Sequence, residues 1–212
     1  MTCLNEGIAY EIPLNISTSE FENKITALRE NFSDLPVDFN LVSSEGRRKK
    51  LLIADMESTI IEQECLDELA DSLNLRNKIS EITSRAMRGE IDFEPALRER
   101  VALLAGLPAT SLQDVHDNVT LMPGAATLLA TLKQNNVFCG LVSGGFSFFA
   151  DKIAVQLNFD ACHCNQLEIE ADHLTGKVID PILGREAKAA HLQSWCDEKN
   201  LPAAETLAVG DG

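Results

Sequence analysis

The chain has 212 residues, 45% hydrophobic and 24% charged, with a formal net charge of −15. That is enough for one substantial core plus a smaller domain, while the acidic balance argues against a nucleic-acid partner and leaves an anionic small substrate needing a cation or a local positive pocket. No apolar run approaches the ~20 residues of a membrane span, and MTCLNEGIAY lacks the basic and apolar regions of a signal peptide, which together point to the cytoplasm.

Residues 1 to about 46 read as strand, helix and strand. AYEIPLNI alternates, SEFENKITALRENF has helical spacing opened by a Ser cap, Ser19, and VDFNLVSS alternates again. GRRKK at 46–50 is a solvated, charged linker. LLIA at 51–54 is a buried strand that runs into Asp55, Glu57, Ser58 and Thr59. From 62 to about 118 no strand pattern occurs. EQECLDELADSL, RNKISEITSRAM, DFEPALRERVALLAG and SLQDVHDNV read as helices, several with Ser, Asp or Thr caps. GAATLLATLKQ is a helix, NVFCGLVSGG a second buried strand ending in a Gly-rich turn, and SFFADKIAVQLN a helix. NQLEIEADHLTGKVID reads as a hairpin around a polar, Gly-containing turn. GREAKAAHLQSWCDEKN is a helix, and ETLAVGDG a strand ending in Gly-Asp-Gly.

Helices alternating with all-apolar strands predict an α/β fold with a Rossmann-like parallel sheet. The helical block between two strands predicts an inserted domain. The expected organisation is a small αβ segment at 1–46, a core at 47–61 and 119–212, and a helical cap at 62–118. Six cysteines without a secretory context do not imply disulfides. Cys65 and Cys139 sit in apolar patterns as small hydrophobes. The Cys-His-Cys cluster at 162–164 lacks a second Cys pair and is read as structural rather than metal-binding. His116, His163, His173 and His191 receive no role.

Ligands of parallel sheets bind beyond the carboxyl ends of the strands. Three loops would meet there: Asp55–Thr59, Ser143–Gly145 and Gly210–Gly212. Asp55 and Asp211 at one mouth repel, so one is protonated or a cation sits between them. Hard oxygen ligands favour Mg²⁺, and the SGG turn exposes amides suited to phosphate. Lys188 shares a helical line with Leu192 and Trp195. It either snorkels or reaches the phosphate. Arg100 lies on an apolar stripe with Phe93, Leu97, Val101 and Leu104. It either pairs with a Glu as structure or forks onto a substrate carboxylate.

DMEST, SGG, Lys188 and VGDG, in that order, resemble the four motifs of the haloacid dehalogenase superfamily. LLIADMESTIIEQECLDELAD, AMRGEIDFEPALRERVALL, LVSGGFSFFADKIA and LAVGDG resemble its phosphoserine phosphatase family, from about residue 49 onward and including the helical insert. The resemblance implies Mg²⁺-dependent hydrolysis of phosphoserine, the last step of serine synthesis. Asp55 would be the nucleophile that forms an aspartyl-phosphate, and Glu57 the general acid and base. Mg²⁺ would be held by Asp55, the Glu57 backbone carbonyl and Asp211. Ser143, Gly144 and Lys188 would bind the phosphoryl group, Glu64 and Arg100 the amino and carboxylate groups. Met87 and Phe93 would close over the substrate. Neither nucleic acid nor membrane is a partner, and the oligomeric state stays open, a homodimer included.

The chain departs from the family pattern twice. Glu57 stands where the family usually has Asp, which leaves two readings: neighbours compensate, or breakdown of the aspartyl-phosphate is slowed. The family's last motif continues past GDG with another acid and further elements, so the expectation is a fragment of a longer phosphatase with an uncovered sheet edge. The N-terminal segment resembles a shortened regulatory domain or is a packing arm. The alternatives are a phosphatase or phosphotransferase for another small phosphorylated metabolite, and a module that binds phosphoserine without turnover.

Overall fold

The computed structural model describes residues 1–44, 46–71 and 73–211. The chain divides into two compact units, Met1–Arg47 and Arg48–Gly212.

In the first unit, β1 (Thr2–Asn5) pairs antiparallel with β2 (Ala9–Glu11), and α1 spans Thr18–Asn31. The helix is capped by Ser17 rather than by the expected Ser19, whose side chain lies outside the description. The Ser17 hydroxyl accepts from the Glu20 amide, and the Glu20 carboxylate accepts from the Ser17 amide, a reciprocal capping box. The strand expected in VDFNLVSS does not form. Its alternation is real, but a strand needs a ladder partner, and β2 is already paired to β1, which the sequence reading missed.

The second unit opens with β3 (Leu51–Ala54), whose four residues are all buried. Four helices follow: α2 (Cys65–Asp71), α3 (Arg76–Met87), α4 (Phe93–Ala102) and α5 (Thr110–Asp117). Then come α6 (Ala125–Gln134), β4 (Phe138–Phe146), α7 (Ser147–Leu157), β5 (Ala161–Glu170), β6 (His173–Ile179), α8 (Arg185–Lys199) and β7 (Thr206–Val209).

Among the described residues the sheet has five strands in the order β6-β5-β4-β3-β7. All neighbours are parallel except β5 and β6. Alternation along β3 splits its side chains between two cores. Leu52 and Ala54 join the large cluster that holds Phe146, Phe149 and Leu129, whereas Leu51 and Ile53 pack with Val142, Trp195 and Cys196 beneath α8. A strand covered on both faces must be apolar throughout, which explains LLIA.

The β5–β6 hairpin turns on Ala171 and Asp172, both left-handed with φ of 46° and 62°. That is the two-residue geometry whose twist matches the strands. The glycine the sequence suggested for this turn, Gly176, sits instead inside β6, where a Cβ would stand 2.9 Å from Ala105 Cβ. The loop after α4 lies along β6: the Gly106 amide donates to Leu174 O (2.8 Å) and the Leu174 amide to Leu107 O (2.8 Å). Arg98 of α4 also pairs with Asp180 at 2.5 Å. The inserted helices are thereby fastened to the hairpin.

Candidate active site

β3 and β7 are in register from Leu51↔Thr206 to Ala54↔Val209, so they end level. The next residues, Asp55 and Gly210–Asp211, therefore emerge side by side, and the Asp55 amide donates to Val209 O at 3.0 Å. The third member of that loop, Gly212, lies outside the described residues. β4 runs further. From Val142 to Phe146 it takes four steps while β5 takes two, His163 to Asn165, so Ser143–Gly145 bulge out of the ladder. The Gly-rich stretch is a bulge inside the strand, not the turn after it that the sequence suggested. The local cause is visible in the glycines. A Cβ on Gly145 would stand 2.9 Å from Glu57 Oε2, and one on Gly144 would stand 3.1 Å from Phe93 Cζ.

Asp55 is held at both oxygens. Oδ1 accepts from the Met56 amide at 2.8 Å, and Oδ2 forms an ion pair with Lys188 Nζ. Lys188 is thus not a snorkelling surface residue: Trp195, one face-repeat further along α8, anchors that line of the helix at 5% exposure. Ser143 is buried, and its Oγ accepts from the Gly145 amide at 3.0 Å.

Glu57 has one oxygen occupied and one facing the bulge. Oε1 accepts from the Cys65 amide at 2.8 Å, at the start of α2, while Oε2 is the atom that approaches Gly145. Burial pushes its carboxyl up to about 7. Glu64 and Asp55 add to the rise, and the Cys65 amide opposes it. Glu64 Oε1 accepts from the Ser58 hydroxyl at 2.6 Å. Its carboxyl is also raised, first by partial burial and then by Asp67, Asp211 and Asp55, against the lowering by Ser58.

Arg100 makes no ion pair among the described residues. Its guanidinium donates to Ala96 O (3.3 Å) and Thr83 Oγ1 (3.4 Å), both long and neutral contacts. Burial lowers its pKa, while the charges of Asp67, Glu57 and Glu64 pull it up. Among the described residues the structural Arg–Glu pair that the sequence left open is absent. Phe93, at the start of α4, lies over Gly144 and also 3.4 Å from where a Cβ on Gly184 would stand. Met87, expected beside it, is the last residue of α3 and is 85% exposed.

One polar residue in this region was not singled out from sequence. Asn165 of β5 is 1% exposed; its amide donates to Gly144 O (2.8 Å) and Leu183 O (3.2 Å), and its Oδ1 accepts from the Leu183 amide (2.7 Å). It ties the bulge to the segment leading into α8 and Lys188. The available signal was parity: in CHCNQLEI, Asn165 falls on the inward alternation, where a polar residue needs partners.

A crowd of carboxylates at Asp55, Glu64 and Asp211 is a hard-oxygen donor set that suits a small divalent cation. Carboxylates at strand ends, a lysine and a glycine bulge are the parts of a phosphoryl-transfer centre.

Residues 52–212 match the model of the haloacid dehalogenase-like hydrolases, and the chain belongs to that family. It is 46% identical over 164 residues to the phosphoserine phosphatase of Lactococcus lactis, an alignment covering 77% of this chain and 76% of that one. It is 39% identical over 199 residues to the phosphoserine phosphatase of Streptomyces coelicolor, covering 93% of this chain and 48% of that one. A solved phosphoserine phosphatase holding an analogue of its phospho-aspartyl intermediate superposes with a TM-score of 0.72 at 33% identity, over 78% of this chain and 79% of that one. The chain thus spans three quarters of the Lactococcus enzyme and about half of the Streptomyces one. Among the described residues no helix is long and apolar enough to cross a membrane.

Proposed function

We propose that this chain hydrolyses O-phospho-L-serine to L-serine and inorganic phosphate in two displacements at Asp55, in the cytoplasm, as the closing step of serine synthesis. The observation that carries the substrate assignment is the Arg100 guanidinium, partly buried, without an ion pair among the described residues and within electrostatic reach of Glu64. A forked cation and a carboxylate are what the two ends of an amino acid require. Residues 62–118 act as a cap over a core of 47–61 and 119–212, and residues 1–46 form a small αβ segment.

In the first displacement an Asp55 carboxylate oxygen attacks phosphorus and the bond from phosphorus to the serine oxygen breaks. Glu57 gives its proton to the departing oxygen. In the second, Glu57, now ionised, takes a proton from water as the water oxygen attacks phosphorus. The Asp55–phosphorus bond breaks, and phosphate leaves. A carboxyl with a pKa of about 7 is suited to both transfers at neutral pH. Lys188, paired with Asp55, supplies positive charge to the phosphoryl oxygens, and Ser143 and Gly144 cradle them. Phe93 excludes water from the bulge. Mg²⁺ would be held by Asp55, the Glu57 carbonyl and Asp211; when bound it neutralises the carboxylates and polarises a phosphoryl oxygen.

The test compares L-phosphoserine with phosphoethanolamine, which lacks the carboxylate. The proposal expects a strong preference for phosphoserine that Arg100→Ala removes. Equal efficiency on both in the unmodified chain would redirect the reading to another phosphorylated metabolite.

A further inference from the structure

Away from the carboxyl ends of the strands, three ligand-type side chains converge between β5 and α7. Cys162 and Cys164 are alternate residues of β5, so both leave the same face of the sheet. They pack on the core beneath α7, and Asp151 of α7 reaches the same place. The two sulfurs and an Asp151 carboxylate oxygen lie within 4.8 Å of one another. His163, between them, points to the other face and stacks on His191 at 3.9 Å. The Cys-His-Cys run is therefore not a three-ligand string; its third partner comes from a helix 11 to 13 positions earlier (162 − 151 and 164 − 151).

We propose that Asp151, Cys162 and Cys164 form a binding site for a thiophilic divalent cation of the zinc class. Tetrahedral coordination with Zn–S near 2.3 Å and Zn–O near 2.0 Å sets ligand atoms roughly 3.5–3.8 Å apart. The observed cluster needs about 1 Å of closure, within reach of side-chain rotation alone. Two thiolates and one carboxylate select a borderline-soft ion over Mg²⁺.

Among the described residues no lysine or arginine neutralises Asp151. Asp151 is exposed, so the ion has an entry path from solvent.

The test uses the whole chain, reduced with a phosphine and stripped with chelator, titrated with Cd²⁺ as a spectroscopic stand-in for Zn²⁺. The proposal expects cadmium–thiolate absorption that saturates at one equivalent and survives excess Mg²⁺. Asp151→Asn should weaken binding by about tenfold or more. The double variant Cys162→Ser/Cys164→Ser should lose the absorption, and Cys3→Ser should keep it. A second reading needs no variant: Cd²⁺ or Zn²⁺ should shield Cys162 and Cys164 from alkylation while the exposed Cys3 still reacts. Absence of the absorption at equimolar Cd²⁺, its persistence in the double variant, or protection of Cys3 alone would each overturn the proposal.

Discussion

Lys188 Nζ and Asp55 Oδ2 form an ion pair between residues 133 positions apart in the chain. The pair joins the start of α8 to the end of β3 and sets a cation against the proposed nucleophile. Lys188→Ala should lower kcat/KM on phosphoserine by about 10²-fold or more, since it removes a charge aimed at the phosphoryl group. Lys188→Arg should recover only part of this, because a planar fork replaces a point charge. Initial-rate kinetics of the two variants checks both statements.

Glu57 replaces the aspartate expected from its family, yet its reach is used: one oxygen takes the Cys65 amide, the other faces Gly145. Glu57→Gln should cost about 10²–10⁴-fold in turnover, the range for a lost general acid and base. Glu57→Asp should bring no gain, because the shorter side chain gives up the Cys65 contact. A large rise in kcat for Glu57→Asp would show that the longer residue is a handicap.

Asn165 holds the bulge to the segment ahead of α8 by three hydrogen bonds. Asn165→Ala leaves buried backbone groups unpaired and should destabilise the fold by about 1–3 kcal/mol. It should also reduce kcat, since Gly144 and Lys188 lose their common support. Denaturant melts paired with steady-state kinetics read the two effects separately.

His116 on α5 packs against Phe148 and Phe149 at ring distances of 6.5 Å, and its Nδ1 is buried without a hydrogen-bond partner among the described residues. Burial lowers its pKa from 6.5, with Lys152 adding and Asp117 opposing. The unfolded chain therefore binds a proton that the folded chain does not, once the pH drops below 6.5. Stability should be unaffected by this group above that pH and fall progressively below it. Thermal melts between pH 7.5 and 5.5 should show a smaller loss for His116→Gln than for the unmodified chain.

Much of the second unit was legible in sequence because its signals are local. The apolar run LLIA, the helical spacings from 65 to 117 and the alternation of LEIE and HLTGKVI each fix an element without tertiary help. The strand end places Asp55, whereas the sequence left Lys188 open between two readings, and its pair with Asp55 comes from the fold. What escaped depends on partners distant in the chain. The strand in VDFNLVSS failed for want of a ladder, and β1 was missed although it has one. The glycines at 144 and 145 were placed in a turn, whereas the extra residues of β4 relative to β5 create a bulge that only pairing reveals. Asn165 and the Asp151–Cys162–Cys164 cluster belong to the same class: Asn165 acquires meaning from the bulge and the segment before α8, and the Cys-His-Cys run, read as structural, gains a third partner only from α7.

The central claim is that Asp55 accepts the phosphoryl group of phosphoserine. Phosphate release from L-phosphoserine by this chain, in Mg²⁺ and in chelator, beside the same assay on Asp55→Asn, tests it most directly. The account predicts release in Mg²⁺ that chelation stops and Asp55→Asn abolishes. Release that persists in Asp55→Asn, or a chain that liberates no phosphate from L-phosphoserine in Mg²⁺, would contradict it.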